Sequence, residues 1–136
     1  MSYNQSPTFL RRALILDALA SGATALLMIA GAGLVESLLG LPAALLRGAG
    51  LVLVPYAAFV VYAGTRDIIS RSAVWMIIVA NMAWAAASAL LLVSGWVAPA
   101  ALGYAFVIAQ AVAVALLGEL QYMGLRRGVR GPVATA

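Results

Sequence analysis

The residues of this chain that could do chemistry are a few polar side chains within long apolar runs. Asp17 shares a predicted helix face with Ser21 and Thr24, at i+4 and i+7. Because charged groups are costly in hydrocarbon and concentrate at functional positions, Asp17 and Glu119 indicate a site that takes up protons or cations. The candidate intramembrane polar site comprises Asp17, Ser21, Thr24, Asn81, Ser88, Glu119 and Tyr122.

A structural role for the same residues is an open alternative. Hydrogen bonds between polar side chains also hold membrane helices together. Arginines near the ends of the apolar runs could neutralise the two acids, which both lie within a few turns of those ends. The arginines in reach are Arg12, Arg66 and Arg126. This alternative predicts a cluster of hydrogen bonds and ion pairs that locks the helices.

A second polar group is predicted near the middle of the membrane. Tyr56, Trp84 and Gln110 fall far from the ends of their apolar runs, although tryptophan normally lies at the membrane interface. These side chains could line a pocket for a lipid, a quinone or another amphipathic ligand. The alternative is ordinary core packing with local hydrogen bonds.

The composition excludes most other classes of protein. The chain has 136 residues, of which 65% are hydrophobic and 9% charged, whereas a soluble domain is about 25% charged. It has no histidine and no cysteine, so nucleophile and base pairs built on them, zinc sites and disulfides are excluded. No glycine-rich phosphate loop occurs. We therefore expect a membrane protein that is not an enzyme and needs no cofactor or metal.

Four apolar runs are each long enough to cross about 30 Å of hydrocarbon as a helix. Short connections make consecutive helices antiparallel neighbours. The sequence therefore predicts an all-α integral membrane protein, with one domain over 1–136 folded as a four-helix up-down bundle. The predicted helices are 9–34, 43–64, 73–94 and 100–125, followed by a basic C-terminal tail over 126–136.

The arginines predict the orientation of this bundle. All of them except Arg47 fall at one end of the proposed helices, Arg130 in the tail included. Since arginine and lysine accumulate on the cytoplasmic side, both termini are expected in the cytoplasm. The use of arginine without lysine favours a bacterial gene, and hence the plasma (inner) membrane.

The two halves of the chain resemble each other. Asp17 matches Asn81, and the sequence Tyr-x-Gly-x-Arg begins at both Tyr62 and Tyr122. This indicates a tandem repeat of two helical hairpins in parallel orientation. Small residues spaced i, i+4 in the last run form a packing ladder, expected inside the bundle or at an oligomer contact: Ala101, Ala105, Ala109 and Ala113.

Three functions are compatible with these features. The first is a non-catalytic accessory or structural subunit, which assembles with itself or with a larger membrane complex. The second is a proton- or cation-coupled transporter or channel that uses Asp17 and Glu119. The third is a binder of a lipid, quinone or other hydrophobic ligand. Membrane lipids are expected partners in every case, and nucleic acid is not.

Overall fold

The computed structural model describes the backbone of residues 5–135 and the side chains of residues 8–127. Every regular element in this part of the chain is helical, and four helices are long and apolar enough to cross a membrane. A span of 23 residues measures about 35 Å at about 1.5 Å per residue. The predicted all-helical fold class is therefore confirmed. The helices are α1 (Gln5–Ala30), α2 (Ala32–Leu39), α3 (Ala43–Thr65), α4 (Arg71–Val93) and α5 (Ala101–Thr135).

Two helix ends differ from the sequence prediction. The first run, predicted to continue to position 34, ends as α1 at Ala30, and α2 begins after Gly31. α2 ends at Leu39 and is capped by Gly40, whose φ of 70° lies in the left-handed region that favours glycine. At the C-terminus, α5 continues to Thr135, so the segment predicted as a tail is helical up to that residue. The side chain of Arg130 lies outside the described residues.

The four spans do not surround the bundle axis evenly. α1 packs against α3 and α5, and α5 packs against α4. α3 and α4 are consecutive, yet they scarcely touch. Their connection, residues 66–70, joins them at one end only, and the large side chains of Tyr56 and Trp84 lie between them farther along. The bundle is therefore closed on three sides and open between α3 and α4.

Glycines provide the closest helix contacts. A Cβ atom at Gly124 of α5 would lie 3.0 Å from the Cα and Cβ of Leu10, and one at Gly64 of α3 would lie 3.1 Å from the Cβ of Leu14. α1 is thus held tightly on both sides, as expected for membrane helices that associate through small residues. The predicted alanine ladder does not take part in this packing. All four of its members are exposed: Ala101, Ala105, Ala109 and Ala113.

Most arginines with described side chains lie at one end of the bundle, which we call the arginine end: Arg11, Arg12, Arg66, Arg71, Arg126 and Arg127. Arg11 donates hydrogen bonds to the backbone oxygens of Gly64 and Arg66, at 2.6 and 2.7 Å. It thereby satisfies carbonyl groups at the C-terminus of α3. Arg66 lies over the ring of Tyr62, and Arg126 over that of Tyr122. Both copies of Tyr-x-Gly-x-Arg therefore form the same stack.

Gly50 and Gly48 of α3 provide a matched test of this packing. A Cβ atom at Gly50 would lie 2.7 Å from Cγ1 of Ile29 and 3.1 Å from the backbone oxygen of Ala25, whereas one at Gly48 would meet no atom within 4 Å. Gly50→Leu is expected to force α1 and α3 apart and to lower stability by about 1–3 kcal/mol. Gly48→Leu is expected to change it little. Thermal unfolding of the purified protein in detergent measures both, and equal melting temperatures for the two variants would contradict the packing.

Candidate functional site

The centre of the bundle is occupied by Asp17, whose side chain is fully buried. Its Oδ2 atom accepts hydrogen bonds from three other spans: the Tyr56 hydroxyl at 2.7 Å, the Asn81 amide at 3.0 Å and the Gln121 amide at 2.7 Å. Its Oδ1 atom accepts from the Ser21 hydroxyl, one turn along α1, at 3.0 Å. One carboxylate therefore joins α1, α3, α4 and α5. We call these five residues the Asp17 cluster.

The helices deliver these side chains from different directions. Asn81 approaches Asp17 diagonally across the bundle, since α1 and α4 are not packed against each other. A tight contact between α4 and α5 supports this reach, because a Cβ atom at Gly118 would lie 3.5 Å from the Cβ of Asn81. The Asn81 amide also donates to Oε1 of Gln121 at 3.0 Å. The amide orientations of Asn81 and Gln121 are therefore fixed by each other and by Asp17.

All donors to Asp17 are neutral groups. An ionised carboxylate only accepts hydrogen bonds, and Asp17 is the acceptor in all four. The arginines considered as partners lie elsewhere: Arg66 and Arg126 stack on tyrosine rings, and Arg12 is exposed. The ion pairs of the structural alternative are thus not formed at Asp17. The four contacts bring oriented dipoles and no positive charge to this carboxyl group.

Glu119 does not join this cluster. Its side chain is exposed, whereas Gln121, two residues later on α5, is fully buried. Two residues turn a helix by about 200°, so the two side chains face opposite ways. Tyr122 is also outside the cluster, and its ring makes an edge contact with Trp75, with centroids 5.7 Å apart. The two acids therefore do not form a joint site, and their positions give no support to transport that pairs them.

Sequence reasoning missed Gln121 and placed Tyr56 in the pocket only. Gln121 could have been found from its spacing relative to other residues on the buried face of α5. Gly118, Gln121 and Leu125 recur at i, i+3 and i+7, and all three are buried. Glu119 and Tyr122 were favoured because of their chemical types, although they belong to the opposite face of α5.

A second polar group links α4 and α5. The Trp84 indole N–H donates to Oε1 of Gln110 at 2.7 Å. The Gln110 amide donates to the Ser88 hydroxyl at 2.8 Å and to the backbone oxygen of Val107 at 3.1 Å. Ser88 and Thr24 of the predicted polar site lie here, away from Asp17, and their hydroxyls donate to the backbone oxygens of Trp84 and Ala20.

Side chains of both polar groups line a pair of adjacent cavities. The inner cavity has a volume of about 160 Å³, and the three residues predicted to line a ligand pocket, Tyr56, Trp84 and Gln110, all lie on its wall. The outer cavity has a volume of about 280 Å³ and shares Thr24, Trp84 and Gln110 with the inner one. Its wall also includes Met28, Leu41, Ala49, Ala87, Ser88 and Val107.

Together the cavities form a groove along the open side of the bundle. Its walls come from α3 and α4, and its floor from α1 and α5. On α4 the lining runs from Ala80 to Leu91, which corresponds to about 17 Å. The lining is mostly apolar, and the polar residues Ser21, Tyr56 and Asn81 lie on the wall of the inner cavity. Such a shape fits an elongated apolar molecule with one polar group.

Comparison with known proteins finds no matching family model, no matching curated protein and no matching solved structure. The function must therefore be argued from the residues of this chain. Two features are specific enough to carry such an argument, the Asp17 cluster and the groove beside it.

Substitutions of Asp17 test whether the Asp17 cluster stabilises the packed helices. Asp17→Leu leaves the donors of Tyr56, Asn81 and Gln121 without an acceptor, at about 1–3 kcal/mol for each buried donor. A loss of about 3 kcal/mol or more is expected. Asp17→Asn can keep its oxygen at the position of Oδ2 while its NH2 group donates to Ser21, so a much smaller loss is expected.

Unfolding in detergent, followed by circular dichroism, measures both variants of Asp17. A melting temperature for Asp17→Leu equal to that of the unsubstituted chain would show that the cluster does not stabilise the bundle.

Proposed function

We propose that this chain is a non-catalytic membrane protein that binds an amphipathic molecule in the groove between α3 and α4. The observation that carries the proposal is the open side of the bundle, where an apolar groove leads to a buried polar cluster. The two cavities together reach the lower part of the range of roughly 300–1,000 Å³ typical of ligand pockets. Because the open side faces the surrounding lipid, a ligand can enter laterally.

The location proposed for this function is the bacterial inner membrane, with both termini in the cytoplasm. The support is the position of the arginines, which gather at the end of the bundle where α1 begins and α3 ends. By the positive-inside rule, that end faces the cytoplasm. The outer cavity then lies toward the external leaflet, and the proposed ligand enters from that leaflet.

Photolabelling with a neutral amphiphile tests the groove. The probe is a tetradecanol with a diazirine midway along its chain, added to phosphatidylcholine vesicles that contain the protein. Met28 and Val107 are 7% and 5% exposed, but both line the outer cavity. We expect adducts on these two residues, because an inserted chain reaches them. Outward-facing residues such as Leu51 are labelled by probe molecules dissolved in the surrounding lipid, whether or not the groove binds the probe.

Two neighbouring alanines of α4 give a matched pair for this experiment. Ala87 lines the outer cavity, whereas Ala86 is exposed and lies outside the lining. Ala87→Phe is expected to reduce the adducts on Met28 and Val107 by at least about fivefold, since it fills the groove. Ala86→Phe is expected to leave them unchanged. Adducts confined to outward-facing residues in the unsubstituted chain would refute the proposed binding.

Assembly with a second copy or with a larger complex is a second candidate function. The observation that favours it is the exposure of the whole alanine ladder on α5, because small residues let helix backbones approach closely in lipid. This face does not serve the packing of the chain itself, so it is free to pack against another helix. The groove and the ladder occupy different parts of the molecular surface, apart from Ala113.

The oligomeric state of a ladder variant tests assembly. Ala105→Leu combined with Ala109→Leu is expected to shift an oligomer to monomers, because the added side chains keep helices apart. Ala86→Leu adds a leucine to an exposed position of α4 and is expected to change nothing. Light scattering coupled to size-exclusion chromatography measures the mass. A mass that is the same for both variants and for the unsubstituted chain would count against the alanine face as a contact.

A further inference from the structure

The polar side chains on the wall of the inner cavity donate all their N–H and O–H hydrogens to other groups of the protein. Each O–H and N–H hydrogen is donated to an acceptor within residues 8–127. Only lone pairs of their oxygen atoms remain available to a ligand. A ligand in this cavity therefore meets hydrogen-bond acceptors and no free donor from these side chains. They are Ser21, Thr24, Tyr56, Asn81, Trp84 and Gln110.

Asp17 is the cause of this arrangement at the inner end. It is fully buried behind the cavity wall and draws the hydrogens of Ser21, Tyr56 and Asn81 toward itself. These three groups therefore have no hydrogen left to donate to a ligand. The Tyr56 hydroxyl has one hydrogen and lies 2.7 Å from Oδ2 of Asp17 and 3.0 Å from Oδ1 of Asn81, so whenever it donates to Asp17 the Asn81 oxygen keeps its acceptor capacity.

We infer that the inner cavity binds the ammonium group of a protonated amphipathic amine whose alkyl chain lies along the groove. This inference rests on the proposed function and names the chemical class of its ligand. An ammonium group supplies the N–H donors that the wall lacks, and its positive charge complements the negative charge of Asp17. At the low dielectric of a membrane interior, that attraction is strong even across one layer of side chains.

The other classes of polar group fit the cavity less well. A carboxylate or phosphate would face lone pairs and the charge of Asp17 with no donor from the polar wall. A bare metal cation would need about six or more oxygen ligands, whereas most of the cavity wall is apolar. A quaternary ammonium has the required charge but has no N–H hydrogen to donate. A primary amine is therefore expected to bind better than its trimethylated form.

Native mass spectrometry in neutral detergent micelles, with the full chain at pH 7, tests this inference. The probes are tetradecylamine, tetradecyltrimethylammonium, tetradecanol and tetradecanoate, and sodium chloride is a separate arm. Tetradecylamine is expected to bind Asp17→Asn at least about tenfold more weakly than the unsubstituted chain. Tetradecanol is expected to bind both equally. Glu119→Gln removes the same charge from an exposed position and is expected to leave every affinity within about twofold.

The outcomes separate this inference from the proposed function. Equal affinity of tetradecylamine for the unsubstituted chain and Asp17→Asn would overturn the inference, as would tetradecanoate that binds as tightly as the amine. If saturating sodium chloride prevents the amine from binding, the site belongs to metal cations, and the inference is also overturned. If tetradecanol binds in any of these cases, the proposed function stands. If neither tetradecanol nor the amine binds, the proposed function fails as well.

Tyr56→Phe keeps the experiment decisive if Asp17→Asn does not fold. It removes one oxygen from the cavity wall and leaves Asp17 with the donors of Ser21, Asn81 and Gln121. The affinity for tetradecylamine is expected to fall severalfold, and that for the trimethylated compound is expected to change little. No change in the amine affinity would overturn the inference.

Discussion

The fold depends on one buried carboxylate that accepts hydrogen bonds from every other span. Lipid is as apolar as the leucine side chains of the spans, so hydrophobicity does not bring membrane helices together. Polar bonds and close contacts must do so. Asp17 accepts one hydrogen bond from each of the other three spans, namely from Tyr56 of α3, Asn81 of α4 and Gln121 of α5. These dipoles, rather than water, surround the buried carboxyl group.

The same carboxylate allows the bundle to remain open on one side. If the two halves are repeats, the contact between α1 and α5 corresponds to that between α4 and α3. The first is closed, with Gly124 against Leu10, and the second is not. Because Asn81 reaches Asp17 diagonally, α4 is tied to the centre without packing against α3. The gap is therefore compatible with a stable bundle, and no buried side-chain nitrogen or oxygen lacks a hydrogen-bond partner among the described residues.

The sequence was sufficient for the spans and for part of the site. Long apolar runs are a strong signal, and Asp17, Ser21 and Asn81 were recognised because polar side chains in such runs are rare. The sequence analysis did not identify which face of α5 is buried. Glu119 and Tyr122 attracted attention by type, but the buried face is marked by Gly118 and Gln121. The alanine ladder was predicted inside the bundle or at an oligomer contact. Its members are exposed, and glycine, which permits a closer approach than alanine, occupies the tight contacts between helices. The gap between α3 and α4 depends on how four helices share one centre, which no local pattern reveals.

The stability of the bundle and the chemistry of the groove cannot be varied independently. A charge held by neutral groups requires that their hydrogens point inward. The same groups then have only lone pairs left to offer a ligand, and three of them, Ser21, Tyr56 and Asn81, line the inner cavity. The negative character of the cavity is thus a consequence of how the carboxylate is stabilised, although Asp17 itself never reaches the cavity wall. If a hydrogen-bond donor replaced Asp17, the hydroxyls of Tyr56 and Ser21 would have to accept from it instead of donating. Their hydrogens would then be free for a ligand, and the cavity would favour the opposite class of ligand.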